Sequence, residues 1–143
     1  MDPEIQQKVL QFESFINDVL KADLTKLEEK LNQKSEDLET FVSLKNVISV
    51  FKGNEFDKSG FKTKVDIGNN FLMQAHIIDT NKIYLDVGLS HFVEFSLDEA
   101  LIVINVRTKL LERQITNLRK EVGKTNAHIK LILICIRDLQ GIK

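Results

Sequence analysis

Between residues 97 and 139 the apolar side chains fall on a repeat that leaves this chain few folds to choose from. Leu97, Leu101, Ile104, Thr108, Leu111, Ile115, Leu118, Val122, Thr125, Ile129, Ile132, Ile136 and Leu139 follow alternating steps of four and three, and eleven of the thirteen are apolar. A period of 3.5 residues sustained over six heptads specifies a helix supercoiled on a partner helix, not one laid on a broad globular core. Its start is legible in SLDEA, where Ser96 and Glu99 have the spacing of a reciprocal cap. From Ser96 to Gln140, at 1.5 Å per residue, the helix extends roughly 65 Å, longer than a compact domain of this size allows. Gly123 is a weak point, costing about 1 kcal/mol against alanine and permitting a bend.

The partner is sought in the first fifty residues. Asp2 and Pro3 suit a helix cap and first turn, and Ile5, Val9, Phe12, Ile16, Leu20, Leu24, Leu27, Leu31, Leu38, Phe41 and Ile48 supply a second, less regular seam. Three successive steps of four through Ile16, Leu20 and Leu24 resemble a stutter, and Lys34 falls where a seam residue is due, so the supercoil is expected to loosen there. The helix should end near KGNEFDKSG, residues 52–60, the most turn-rich stretch of the chain. Residues 1–50 carry ten acids and six bases, and residues 96–143 five acids and nine bases, so two arms of −4 and +4 are disposed to pair.

Between the arms the period changes from helical to alternating. Strands are expected near Thr63–Ile67, Phe71–Ile77, Lys82–Val87 and His91–Phe95, separated by turn chemistry at Gly68-Asn69, at Asp79-Thr80-Asn81 and at Gly88-Leu89-Ser90. The fold class is therefore α+β: a long antiparallel two-helix coiled coil with two β-hairpins between the helices. One domain is expected over residues 1–143, with helix at about 3–51, loop at about 52–60, hairpins at about 61–95 and helix at about 96–140. Two hairpins on one helical hairpin have little core of their own, and their open edges invite pairing with another chain. The sheet reads as an oligomerisation device.

Several function classes lose support. No apolar run approaches the ~20 residues of a membrane span, and MDPEIQQKVL has no basic region followed by an apolar core, so no secretory leader is expected and the chain should stay inside the cell, in cytoplasm and nucleus. The single cysteine, Cys135, cannot form an internal disulfide and reads as a small buried hydrophobe. His76, His91 and His128 are scattered with no ligand spacing. Acidic runs at residues 28–30 and 35–39 read as solvated helix faces, and Gly68-Asn69 as a turn without phosphate-loop spacing. No basic cluster with interleaved aromatics points to direct nucleic-acid binding. Without a nucleophile beside a base, no catalytic role, metal or cofactor is expected.

The residues that carry a resemblance are VDIG at 65–68, IIDTNKIYLDVG at 77–88 and VEFSLDEAL at 93–101, together with KVLQFESFINDVLKADLTKL at 8–27 and AHIKLILICIRDLQG at 127–141. With them the chain resembles the α-class prefoldin family over nearly its whole length, and within it the α-type subunit of the prefoldin-like complex. It departs in having Ser90 where many α-class members have a second glycine, which leaves the geometry of that turn open.

The resemblance implies a hexamer of two α-type and four β-type subunits, with hairpins joined into barrels and coiled coils projecting from them. The implied function is an ATP-independent co-chaperone that binds unfolded or unassembled protein clients through coiled-coil tips. Implied partners are β-class prefoldin subunits, a URI-like α subunit, the RuvB-like ATPase co-chaperone machinery and RNA polymerase subunits. Candidate client contacts are then Ile5, Val9, Phe12, Ile132, Cys135, Ile136 and Leu139. Candidate assembly contacts are Val65, Ile67, Phe71, Met73, Ile77, Ile83, Leu85, Val87, Phe92 and Phe95. Each client candidate also fits an ordinary place in or beside the seam. The sharper signal is collective: LILICI, residues 131–136, covers more than one helix face and exceeds what a two-stranded seam can bury. Two other readings stay open, a general prefoldin α subunit delivering clients to the chaperonin, and a coiled-coil adaptor or transcriptional cofactor without holdase activity.

Overall fold

A computed structural model of the chain describes residues 3–53 and 60–141. The expected cap at Asp2 and most of the 52–60 loop lie outside the described residues. The elements run α1 (Pro3–Ser14), a π-helical segment (Phe15–Leu20), α2 (Lys21–Gly53), β1 (Phe61–Asp66), β2 (Leu72–Ile77), β3 (Lys82–Gly88), β4 (His91–Ser96) and α3 (Leu97–Leu139). The long helices and the two antiparallel strand pairs are those the two periodicities predict. Two compact units can be distinguished: residues 1–38 with 110–143, and residues 39–109.

In the first unit the beginning of the N-terminal arm packs on the end of α3. Val9, Ile16 and Ile136 form the buried cluster, flanked by Ile5, Leu20, Ile129, Ile132 and Leu139. Leu111 and Ile115 are buried as well. All thirteen repeat positions of α3 are buried or half-buried, as expected where one narrow stripe meets one partner helix.

The irregularity in the N-terminal seam takes a specific form. Up to Ile16 the seam follows steps of four and three, and from Leu20 it resumes displaced by one residue. The intervening segment is wound as a π-helix, with Lys21 N–H donating to the Ile16 carbonyl five residues back. One extra residue per turn absorbs the displacement. A continuous α-helix would carry the phase of Leu20 back to Asn17, Glu13, Leu10 and Gln6, a largely polar stripe. The segment is thus a consequence of seam spacing.

In the second unit the end of α2 and the start of α3 pack around Ile48, Ala100 and Ile104, and β3 adds Leu85. Phe41, Leu44, Ile83, Phe95, Leu97 and Leu101 surround this cluster. The cap on α3 is formed as expected. Ser96 N–H donates to Glu99 Oε2 at 2.9 Å, and Glu99 N–H returns to Ser96 Oγ at 3.3 Å. The chain enters α3 tethered by Leu97 N–H to the Asn81 carbonyl, 3.2 Å. Arg107 donates to the Val87 carbonyl at 3.0 Å and Lys45 to Asn105 at 3.0 Å, while Lys52 pairs with Asp98.

Each hairpin is a separate two-stranded antiparallel sheet, β1 with β2 and β3 with β4. Register in the first sets Phe61 opposite Ile77, Thr63 opposite Ala75 and Val65 opposite Met73 on one face, with Lys62, His76, Lys64 and Gln74 on the other. In the second, Ile83 faces Phe95 and Leu85 faces Val93, with a register shift between Asp86 and Gly88. Both turns repeat one device, Asp-x-Gly. Gly68 N–H donates to Asp66 and Gly88 N–H to Asp86, each at 2.8 Å.

Ser90 settles into an uncommon turn. Leu89 and Ser90 both take left-handed backbone, φ 54 and 58, as a two-residue turn of the hairpin type requires. Neither is glycine or asparagine, and each residue so placed costs about 1–2 kcal/mol.

Candidate functional site: hairpin faces and helix ends

The ten assembly candidates divide into two groups. Leu85 is buried, and Ile83 and Phe95 pack against the same helix core, while Ile77 and Val87 are half-buried. Val65, Ile67, Phe71, Met73 and Phe92 are exposed. The division follows from register. On the apolar face of β1 and β2, Phe61 and Ile77 lie at the helix-proximal end, with the Phe61 ring 5.5 Å from that of Phe51. Val65 and Met73, four residues further out, have left that cover. At the turn, Ile67 N–H donates to the Phe71 carbonyl at 2.9 Å and Phe71 N–H to that of Gly68 at 3.0 Å, and the Phe71 side chain projects with 73% of its surface exposed.

The hairpins and the link between them also expose Leu72, Ile78, Tyr84, Leu89 and Val93, none of which is among the assembly candidates taken from the sequence. Alternation from Phe95 places Val93 on the same face, so its spacing carries the signal. Leu89 was hidden inside turn chemistry. On the outward face of the second hairpin Glu94 accepts from Lys82 Nζ at 2.8 Å and from Tyr84 Oη at 3.0 Å. The Lys82 hydrogen bond, then that from Tyr84, holds the Glu94 carboxyl below the usual carboxylate range. The same carboxylate raises Lys82 and Tyr84. This exposed polar group adds modestly to the strand pairing and leaves the apolar tip beyond it uncovered.

At the helix ends, Val9 and Ile136 are buried against each other at 6% exposure, and Ile5, Ile132 and Leu139 are partly covered by them. These five residues come together as seam. Phe12 is exposed although it lies on the repeat, because a single partner helix covers only one side of a bulky ring. Cys135 is exposed, which corrects the expectation of a buried thiol. It precedes the seam residue Ile136 by one position, a rotation of about 100° on an α-helix, and so falls on the flank. Leu131, Leu133 and Ile134 are exposed too, and on the opposite arm Leu10, Phe15 and Val19. An open concavity of the N-terminal arm is lined by Gln7, Leu10, Gln11, Ser14, Phe15, Asp18 and Val19. The outward set on LILICI was foreshadowed by its length. The set on the N-terminal arm was masked by the seam's change of phase.

Among the described residues no cluster of three or more His, Cys, Asp or Glu is arranged to hold a metal ion, and no helix is long and apolar enough to cross a membrane. Among the described residues the site is chemically a set of exposed apolar surfaces on and beside two two-stranded sheets, suited to binding chains.

Comparison with known proteins agrees with this architecture. A family model described as Prefoldin subunit matches residues 20–140. Protein UXT of Bos taurus is 36% identical over 137 residues, covering 96% of this chain and 86% of the relative. The Protein UXT homolog of Nematostella vectensis is 30% identical over 139 residues, covering 97% and 87%. Among solved structures, filamentous PFD from Methanocaldococcus jannaschii matches with a TM-score of 0.59 at 19% identity, over 80% of this chain and 96% of that one. At that identity the likeness concerns the fold.

Proposed function

The chain belongs to the prefoldin subunit family, and from that premise we propose that it is the α-type subunit of a heterohexameric prefoldin-like complex, with two α-type and four β-type subunits. It is a prefoldin-like chaperone subunit; the finer reading is an ATP-independent holdase for unfolded or unassembled clients that assists protein-complex assembly, RNA polymerase included. A URI-like second α subunit, β-class prefoldins and RuvB-like ATPases are the proposed partners, in cytoplasm and nucleus. The observation that supports assembly most directly is the pair of separate two-stranded sheets with exposed apolar residues toward their turns. A two-stranded hairpin is marginal alone, and its free edges are completed by further strands.

Native mass spectrometry of the tagged protein purified from its own cells tests the proposal by reading stoichiometry and partner identity together. A hexamer of two α-type and four β-type subunits containing the URI-like chain is expected. A homodimer bound to unrelated factors would refute it and favour an adaptor. A hexamer of the same stoichiometry, lacking the URI-like chain and containing the other general prefoldins, would point to the chaperonin-delivering complex.

A further inference from the structure

The second hairpin ends in a leucine held in left-handed backbone and left uncovered by its own unit. Leu89 has φ 54, in the left-handed region, and is 94% exposed. A turn of this kind is served best by Asn-Gly, Asp-Gly or Gly-Gly. A γ-branched residue there is strained, and at this exposure it recovers nothing from packing within its own unit. Ser90 beside it is left-handed as well, so the strain is doubled where glycine at either position would lessen it.

The backbone is held in this state from both flanks. Asp86 Oδ1 accepts Gly88 N–H at 2.8 Å, and His91 Nδ1 lies 2.6 Å from the Leu89 carbonyl, the ring nitrogen donating. The register shift between Asp86 and Gly88 re-aims the tip. Strain persists where neighbouring contacts over-determine it, and such places concentrate at binding sites. Phe92 stands exposed at the foot of the same turn. The tip is therefore a preorganised apolar knob on a pinned turn, the form an interface anchor takes.

We propose that Leu89 is an anchoring residue for assembly, seated in an apolar pocket of a neighbouring prefoldin-type subunit. This rests on the reading of the chain as a subunit of a prefoldin-like complex, and the choice of occupant follows from continuity. The knob terminates a sheet that has two strands among the described residues and whose edges that reading assigns to other subunits, so the chain that completes the sheet is the one the knob meets.

Binding of the full chain to purified β-type prefoldin subunits from the same organism tests the proposal with four forms: wild type, Leu89→Asn, Leu89→Met and Ser90→Gly. Thermal unfolding of each chain alone is measured in parallel. Leu89→Asn and Ser90→Gly both relieve the turn, and each is expected to raise Tm by roughly 2–8 °C. They are expected to part in binding. Leu89→Asn loses at least about tenfold in affinity, as for loss of an interface anchor, whereas Ser90→Gly and Leu89→Met stay within about threefold of wild type, a margin that the loss of even a modest contact would exceed. Unchanged affinity for Leu89→Asn would overturn the assignment, and so would equal losses for Leu89→Asn and Ser90→Gly, which would trace binding to turn conformation and not to the side chain. Failure of the wild type to bind any β-type subunit would instead refute the underlying reading, and the anchor with it.

Discussion

Alanine placed at two glycines of this chain should act in opposite directions. A Cβ on Gly60 would collide with the Ile77 carbonyl oxygen, and its φ of +72 already disfavours any side chain. Gly60→Ala is expected to cost at least about 2 kcal/mol, combining left-handed strain with displacement of the β2 backbone. Gly123 lies in α3 with open space around it, and Gly123→Ala should stabilise by about 0.5–1 kcal/mol. Chemical denaturation of both variants reads the contrast. In the helix core, Ile104 is fully buried, and Ile104→Ala should cost about 2–5 kcal/mol. The cap adds a pH dependence. Hydrogen bonds from the Ser96 backbone and hydroxyl lower the Glu99 carboxyl, so its folded pKa lies below its unfolded one. The cap's stabilisation is then present above the ordinary carboxylate range and is lost as pH falls through the folded value. Thermal melts of Glu99→Gln and wild type should differ at neutral pH and converge in acid.

The N-terminal arm offers a sharper test at the level of the element. If the π-helical segment Phe15–Leu20 exists because the seam gains one residue between Ile16 and Leu20, deleting Asn17 should restore an α-helical turn and preserve every seam contact. Asn17 is exposed, and its side-chain oxygen accepts from Lys21 on its own helix. Deleting Lys30, inside a regular stretch of the seam, should instead rotate all preceding seam residues by about 100°. Circular dichroism melts are expected to leave the Asn17 deletion within a few degrees of wild type, with a much larger loss for the Lys30 deletion; equal losses would refute the spacing account. Within the hairpins alternation identified the strands but not their exposure. Leu85 and Val93 share a face and a register pair, yet Leu85 is buried and Val93 exposed, because the helix core covers one and not the other.

For the chain as a whole, the division between seam and outward residues at the helix ends separates stability from binding. Ile136 is buried with Val9 and Ile16, so Ile136→Ser is expected to cost about 2–4 kcal/mol, and any loss of chaperone action it causes is confounded by loosening of the helix pair. Leu133 and Ile134 are exposed, and serine there should change stability by no more than about 0.5 kcal/mol. If the assembled complex holds clients on this surface, the Leu133→Ser, Ile134→Ser double variant should suppress aggregation of unrelated denatured proteins less well while melting like wild type. Unchanged suppression would remove these residues from the client surface.

What the sequence determined on its own was whatever depends on spacing along the chain: the 3.5-residue seam of α3, the reciprocal Ser96 and Glu99 cap, the four strands, and even the site of irregularity in the N-terminal arm. These are local because a helix or strand places each side chain by counting residues. Tertiary structure decided what depends on which surface meets which. It turned Cys135 onto the flank, left Phe12 uncovered, and buried Val9 and Ile136 among residues that sequence marks identically. It also set Leu89 and Ser90 in left-handed backbone, since two strands whose register is held by the packing of Ile83, Leu85 and Phe95 must be joined in two residues whatever their propensities. Burial and strain are properties of neighbours brought from elsewhere in the chain, and periodicity does not contain them.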